Sequence, residues 1–258
     1  MFQYPKLNRA STVWYHDHAL GMTRLVDAGP AGFHIVRGGP AGDNAVLDTR
    51  FRKPTPAILP RPAPMEGDRF PSNKTYHEIP IAIQDRSFNL DGSPFYPDTR
   101  ALFDEFAGPY IPESNVSPIW NPEFFGNMIM VNGTTWSFQR VHQRRYRFRF
   151  LNGCQSRFLI LDFSRIPGVE ARQIGNEGGF LATPVNLTAD HDNRLLMGLA
   201  ERADVIVAFT NVPVGNHVIG NLGPDEPFGG GLPDEDFDAA DPATIGQILE
   251  FRRCGGCG

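Results

Sequence analysis

Short runs in which apolar residues alternate with other residue types, broken by glycine and proline, constrain this chain more than any other feature. Residues 79–83 carry isoleucine at every second position, and residues 145–150 alternate arginine with an aromatic residue. A period of two places successive side chains on opposite faces of a β-strand. The 27 glycines and 23 prolines exceed average usage and favour turns over long helices. Strands this short, separated by such turns, predict an all-β sandwich.

The basic aromatic strand at 145–150 has two interpretations. Aromatic and basic side chains together can form a platform for nucleic acid. Alternatively, the aromatic rings pack inward, and Arg145, Arg147 and Arg149 are solvated on the outer face of the sheet. The net charge of −5 favours the second interpretation.

Composition and missing motifs argue against several classes of function. The acidic balance gives no reason to expect a nucleic acid or an anionic membrane as partner. No apolar run reaches the roughly 18 residues that a membrane span needs, and the first six residues show no signal peptide, so no location is assigned. The glycine-rich stretch 228–232 lacks the following lysine and the strand–helix context of a phosphate-binding loop. No Gly-x-Ser-x-Gly sequence offers a hydrolase nucleophile.

One histidine pair stands out within residues 13–21, Val-Trp-Tyr-His-Asp-His-Ala-Leu-Gly. Valine and the aromatic residues favour a strand, on which His16 and His18 project to one side and Asp17 to the other. Neutral imidazole is the commonest metal ligand in proteins. The two rings could each serve one of two neighbouring metal ions or together begin a shared site. Without further context, a His-x-His sequence is more often two ordinary surface or packed histidines.

The other candidate ligands are interpreted as structural or solvated. Cys154 has no adjacent histidine and is expected to be a structural thiol. Cys254 and Cys257 form a Cys-x-x-Cys pair that is capable of a disulfide or half a zinc site, but the pair is expected to lie in a frayed terminus. Asp190-His191-Asp192 is expected to lie in a solvated loop. The histidines without a partner at ligand spacing are His34, His77, His142 and His217.

The residues around the histidine pair resemble the second histidine motif of the multicopper oxidases, in the branch of spore-coat laccase, bilirubin oxidase and phenoxazinone synthase. Further segments resemble the same family, in the family's order, over about residues 10–230. The matching segments are Trp14–Leu25 with Ala31–Phe33, Ile79–Phe88, Gly126–Gly133, Arg145–Gly153, Gln173–Gly179 and Ala200–Val205.

This resemblance implies a cofactor and a reaction. In the family, electrons from phenolic or bilirubin-like substrates enter at a type 1 copper and pass to a trinuclear copper cluster that reduces O₂ to water. The resemblance implies that His16 and His18 are a type 3 copper ligand pair, one histidine to each copper. The family's other three histidine motifs, including the His-Cys-His of the type 1 site, are absent from the sequence, and its seven histidines are fewer than the cluster requires.

The resemblance also implies a domain organisation and a fold. Residues 1–50 correspond to the C-terminal part of a first cupredoxin domain, 51–75 to a proline-rich linker, 76–215 to a second cupredoxin domain without type 1 copper, and 216–258 to a linker towards an absent third domain. The expected fold is all-β, a cupredoxin-like Greek-key β-sandwich with an additional partial cupredoxin segment. The chain is then expected to be a fragment with a truncated N-terminus, or a shortened relative.

Two hypotheses on function follow. The first is an oxidase fragment that retains one type 3 pair, lacks the full four-copper complement and is weakly active or inactive alone. The alternative is a copper-free cupredoxin module for binding or scaffolding. Such a module would self-associate as a homo-oligomer through surfaces left by the missing domains, and a metal site could form at that interface.

Overall fold

Four sheets make up the described part of the protein, in a computed structural model that describes residues 8–18, 27, 29–38, 47–48, 52–53, 55–65, 67–68, 74–97 and 123–255. Strands β1 (Ser11–His16) and β2 (Ala31–Val36) form an antiparallel hairpin sheet of two strands. A second two-stranded sheet joins β3 (Leu47–Asp48) to β4 (Thr55–Pro56).

The other two sheets pack face to face. The larger sheet has the strand order β13-β12-β15-β10-β5-β7-β8, with β6 beside β5, and the smaller has the order β14-β11-β16-β17-β9. A helical turn, α1 (Leu187–Asp190), lies between β13 and β14 in the sequence. The strands of the larger sheet are β5 (Glu78–Phe88), β6 (Pro94–Phe95), β7 (Met128–Val131), β8 (Thr134–Thr135), β10 (Arg145–Asn152), β12 (Glu170–Asn176), β13 (Gly179–Asn186) and β15 (Arg202–Ala208). Those of the smaller sheet are β9 (Phe138–Val141), β11 (Leu159–Asp162), β14 (Arg194–Met197), β16 (Gly215–Asn221) and β17 (Gln247–Arg253).

The facing sides of these two sheets enclose one apolar core. Ile83, Phe148 and Val205 of the larger sheet and Leu161 and Phe251 of the smaller are all 0% exposed. The rings of Phe148 and Phe251 lie 5.3 Å apart across the interface. The apolar residues of the alternating pattern are therefore buried on this inner face, as expected, and the all-β sandwich is confirmed.

The outer face of the larger sheet does not match the expectation for its arginines. Arg147 and Arg149 are 1% and 2% exposed, and only Arg145 is exposed to solvent as expected. The reason is that the β1–β2 hairpin lies against this face, where Arg149 donates a hydrogen bond to Thr12 Oγ1 at 2.7 Å. The expectation of solvated arginines at 147 and 149 is therefore wrong.

Asn-Gly is the dipeptide most typical of a two-residue hairpin turn, so the sequence predicts such a turn at Asn132-Gly133, and the structure confirms it. Asn132 and Gly133 join β7 to β8 with φ values of 50° and 80°, as a two-residue hairpin turn requires. The Asn132 side chain also holds the turn against β5, since its amide donates to Pro80 O at 3.0 Å and its carbonyl accepts from Ala82 N at 2.9 Å. By contrast, the sequence Gly29-Pro30-Ala31-Gly32 predicts a turn over all four residues, but Ala31 and Gly32 begin strand β2.

The sandwich continues beyond residue 215, where the resemblance implied the start of a linker. Strands β16 and β17 pair with each other, and β17 also pairs with β9 in parallel. Ile219 is 0% exposed and Ile248 is 3% exposed, so both strands belong to the core. The expectation of a linker over 216–258 is therefore wrong for the described residues up to Arg253. Residues 222–246 separate the two strands in the sequence.

The proline-rich connector lies along the edge of the sandwich without regular structure at residues 57–65. His77 and Glu78 donate backbone hydrogen bonds to Pro62 O at 2.9 and 3.4 Å, so the connector is fixed at the start of β5. Residues 99–106, for which the sequence predicts a helical turn, lie outside the described residues. Among the residues that the structure describes, no helix is long and apolar enough to cross a membrane.

Candidate metal centre

His16 ends strand β1, and His18 follows it by two residues. Their ring centroids lie 5.2 Å apart with planes at 69°, and the His16 ring stacks on Trp14 at 4.3 Å. Trp14, His16 and His18 thus share one side of the strand, in line with the period of two. His16 is half-buried and His18 is exposed, so both imidazoles are accessible.

The donor atoms of the pair suit a metal in part. His16 Nδ1 lies 2.6 Å from Asp17 O, and because a carbonyl oxygen only accepts, Nδ1 carries the proton and donates. The lone pair of His16 therefore lies on Nε2, where an imidazole commonly binds a metal while its other nitrogen donates to a carbonyl. Within the described residues no group of three or more His, Cys, Asp or Glu side chains is placed to hold a metal ion. The pair fits copper as two ligands and does not complete a site.

Strand β2 supports the histidine strand in register. His16 pairs with Ala31, and Tyr15 pairs with Gly32. The Tyr15 ring lies over Gly32, so a Cβ atom added there would lie 2.6 Å from the tyrosine hydroxyl oxygen. A residue without a side chain at position 32 allows this close approach.

Four buried charged side chains on the outer face of the larger sheet form what we call the charge cluster: Glu78, Arg147, Arg149 and Asp204. Arg147 holds Asp204 through two donors, Nε to Oδ1 at 2.8 Å and Nη2 to Oδ2 at 2.6 Å. Arg149 Nε donates to Glu78 Oε1 at 2.6 Å. Strand register explains the proximity, because Arg147 lies beside Glu78 on β5 and Arg149 lies opposite Asp204 on β15.

The β1–β2 hairpin docks on the sandwich through this cluster. Arg37, just after β2, contacts Glu78 with both terminal nitrogens, at 2.6 and 3.0 Å. Besides the bond from Arg149 to the Thr12 hydroxyl, Arg202 Nε donates to Thr12 O at 2.9 Å. The strand that carries the histidines is therefore held by charge-assisted hydrogen bonds to β10 and β15.

The charge cluster keeps the Glu78 carboxylate ionised. Burial alone raises the pKa of Glu78, but the hydrogen bond from Arg37 and the positive charges of Arg149 and Arg147 outweigh it, and the pKa is lowered from 4.5. A carboxylate this deeply buried is stable only because its oxygens are satisfied by guanidinium groups.

A second set of buried charges lies around Asp85 and Asp27. Asp85 accepts hydrogen bonds from Gly126 N at 2.8 Å and Gln155 N at 3.1 Å, and Arg157 Nε lies 3.3 Å away. Gln155 also donates to Asp27 at 2.8 Å. Burial raises the pKa of Asp27, although the charge of Arg86 and the hydrogen bond from Gln155 oppose it.

The remaining candidate ligands do not join the histidine pair. The Cys154 thiol is buried, with a pKa raised well above its usual value, first by loss of water and then by the charge of Asp85. Asp190, His191 and Asp192 are exposed, as expected, although Asp190 closes a helical turn rather than a loop. Cys254 is a free thiol directly after β17, whereas Cys257 lies outside the described residues.

The charge cluster was not predicted from sequence as part of the site. Its only local signal is a charged residue at every second position of an otherwise apolar strand, at Arg147 and Arg149. That pattern equally describes a solvated outer face. The cover over this face comes from Thr12 and Arg37, which are far away in sequence.

Comparison with known proteins agrees with these observations. The chain is 34% identical to a laccase from Bacillus stratosphericus over 211 residues, which are 81% of this chain and 34% of the relative. It is 31% identical to the multicopper oxidase LPR1 of Arabidopsis thaliana over 251 residues, 96% of this chain and 34% of the relative. The chain thus spans about a third of the length of each relative. No family model matches the chain.

A solved structure supports the same relationship. The McoA multicopper oxidase of Aquifex aeolicus superposes with a TM-score of 0.61 and 26% identity over 95% of this chain and 42% of that chain. The likeness covers the hairpin, the connector and the sandwich together, since nearly the whole chain is matched.

Proposed function

The chain belongs to the multicopper oxidase family, with the cupredoxin-like Greek-key sandwich of that family, and from this we propose that His16 and His18 serve as a type 3 copper ligand pair. The reaction proposed for the complete site is oxidation of phenolic or bilirubin-like substrates coupled to reduction of O₂ to water. Copper, when bound, would supply the redox chemistry. The part of this chain is to present two imidazoles on a fixed strand.

The geometry of the pair is the single observation that carries this proposal. Two rings lie 5.2 Å apart on one side of β1, and the Nδ1–H of His16 is already engaged with a carbonyl, so that Nε2 can bind metal. Tertiary contacts fix β1, which limits the entropy lost when a metal binds. The two imidazoles are therefore positioned as part of a metal ligand set before a metal binds.

The chain alone is proposed to be weakly active or inactive as an oxidase. Two neutral imidazoles leave most coordination positions to water, and a type 1 site needs a cysteine thiolate beside histidines. Cys154, the buried cysteine, has no adjacent histidine in sequence and a raised pKa that disfavours the thiolate. Copper binding by a single chain should accordingly be marginal.

Copper content and oxygen uptake test the proposal. We expect weak copper binding, measured per chain after dialysis, that is lost in the double variant His16→Ala/His18→Ala and retained in His191→Ala, which removes an exposed histidine elsewhere. The rate of oxygen uptake in the presence of a laccase dye should be close to the rate that free copper ions give at the same concentration. Copper binding that survives the double variant would contradict the ligand assignment, and a blue monomer with four coppers would contradict the incomplete site.

A self-associating, copper-free scaffold is the second candidate, and one surface favours it. Strands β8 and β9 are edge strands of the two sheets. Trp136, which follows β8, is 58% exposed, and Phe138, the first residue of β9, is 45% exposed. Unpaired edges beside exposed aromatic rings favour pairing between copies. Sedimentation with and without a chelator tests it. An assembly that persists with chelator supports the scaffold, one that dissociates supports a metal at the interface, and a monomer contradicts both.

A further inference from the structure

A cavity of about 580 Å³ lies between the proline-rich connector and the turn that joins β9 to β10. Connector residues 57–61 form one wall, and His77, Arg144 and Arg145 form the other. The cavity is bounded by residues that neither the histidine pair nor the charge cluster uses. Its chemistry is therefore independent of the proposed copper ligands.

Positive charge dominates the described lining of this cavity. Three arginines, Arg61, Arg144 and Arg145, face it, and none of the described residues that line it is aspartate or glutamate. Within the part of the chain that the structure describes, none of the three arginines forms an ion pair with a carboxylate. Glu78, although next to His77 in sequence, is turned away into the charge cluster.

His77 holds the Arg144 guanidinium in place. Arg144 Nη1 lies 3.1 Å from His77 Nε2, and since a guanidinium can only donate, Nε2 must be the unprotonated nitrogen. His77 Nδ1 then carries the proton and donates to Arg61 O at 2.6 Å. His77 itself is 6% exposed. These two hydrogen bonds, from His77 to the connector and from Arg144 to His77, thus fix the guanidinium before a ligand binds.

The Arg144 backbone is fixed as well. Its N–H donates to His142 O at 2.7 Å, and its carbonyl accepts from Phe209 N at 3.0 Å. Arginine has five N–H donors, so the bond to His77 leaves several free to face the cavity. A guanidinium whose position is set in advance loses little entropy when it binds an anion.

We propose that this cavity is a binding site for a small dianion, either a phosphate group or a pair of carboxylates, held by Arg144 with Arg61 and Arg145. Guanidinium groups match both oxyanions through paired N–H donors. Leu59 and the exposed Ile58 add an apolar rim at the connector wall, which a ligand body attached to the carboxylates would contact.

Calorimetric titration of the metal-free 258-residue chain at low ionic strength tests this proposal, with inorganic phosphate and phthalate as probes. We expect saturable binding with one anion per chain that weakens about tenfold or more in Arg144→Gln and in Arg61→Gln. The matched control is Arg172→Gln, which removes the same charge from an exposed position on β12 outside the cavity. Binding in the control should be unchanged.

The outcomes separate the two sources of the dianion. Binding of both probes supports a general dianion site, binding of phosphate alone supports a phosphate site, and binding of phthalate alone supports a carboxylate site with a contribution from the apolar rim. Absence of saturable binding for both probes overturns the proposal, and so does an equal loss in Arg172→Gln, which would indicate a general charge effect. Arg61→Gln keeps the test valid if Arg144→Gln does not fold, because the Arg61 side chain is exposed.

Discussion

A buried guanidinium is stable only where oxygen atoms replace the water that it has lost. Arg147 and Arg149 meet this condition through Glu78 and Asp204, at 2.6–2.8 Å. Removing one member of such a group leaves the partner charge buried and unpaired, which is far more damaging than losing an exposed ion pair.

Glu78→Gln should therefore lower the free energy of unfolding by about 3–5 kcal/mol, because it leaves the two buried arginines short of one carboxylate. Urea denaturation followed by fluorescence measures the change. Arg145→Gln, on the same strand but exposed, is the control and should stay within about 0.5 kcal/mol of the unchanged protein. Equal effects of the two substitutions would show that the cluster does not stabilise the fold.

Cys154 gives a second prediction at the scale of one residue. Its burial and raised pKa disfavour the reactive thiolate, so in a Cys254→Ser/Cys257→Ser variant the remaining thiol should resist a thiol reagent until urea unfolds the chain. In the matched variant Cys154→Ser, the half-buried Cys254 should react with the folded protein. Rapid labelling of Cys154 in the folded state would contradict its assignment as a structural thiol.

At the scale of elements, the sandwich depends on its last two strands. Strand β16 lies between β11 and β17, and β17 lies between β16 and β9, so both are central in the smaller sheet. Phe251 packs against Phe148 and Phe209, at 5.3 and 5.0 Å between ring centroids. Without these strands one side of the core would face water.

A chain that ends at Gly215 should consequently fail to unfold cooperatively, whereas a chain that ends at Gly255 should behave like the full sequence. The apolar surface that the shorter chain exposes should also bind a hydrophobic dye, as loosely packed states do. Thermal unfolding followed by near-ultraviolet circular dichroism compares the two. A cooperative transition in the shorter chain would restore the linker interpretation of 216–258.

At the scale of the whole molecule, two buried carboxyls with opposite pKa shifts shape the dependence of stability on pH. Glu78 has a lowered pKa in the folded state, so its stabilising effect is complete above its ordinary value of 4.5 and is lost as the pH falls through the folded value. Asp27 has a raised pKa, so its ionisation opposes folding as the pH rises from 3.8 through the folded value.

Unfolding measured between pH 3 and pH 7 should separate these contributions. The loss of stability on acidification below about pH 4.5 should be smaller in Glu78→Gln, because the group that titrates is gone. In Asp27→Asn the small penalty from ionising Asp27 above its ordinary pKa should disappear. An acid limb that is the same in Glu78→Gln and in the unchanged protein would show that other carboxyls dominate.

How much the sequence could predict depends on how far apart the interacting residues lie along the chain. The turn at Asn132-Gly133 and the shared side of His16 and His18 follow from neighbours within a few positions, so residue pattern was sufficient. The burial of Arg149 depends on Thr12, which is 137 positions away, and no local pattern carries that information. Strands β16 and β17 were missed because the resemblance placed both in a linker, and the irregular residues 222–246 separate them in the sequence.

The bond from Arg202 to Thr12 joins residues 190 positions apart, and this spacing has a consequence for biosynthesis. At ordinary rates of synthesis, strand β1 leaves the ribosome roughly 10–40 s before β15, the strand that begins with Arg202. During that interval strand β1 lacks the hydrogen bond from Arg202 that holds it against β15. The hairpin that carries the histidine pair can therefore reach its final orientation only after β15 has been synthesised.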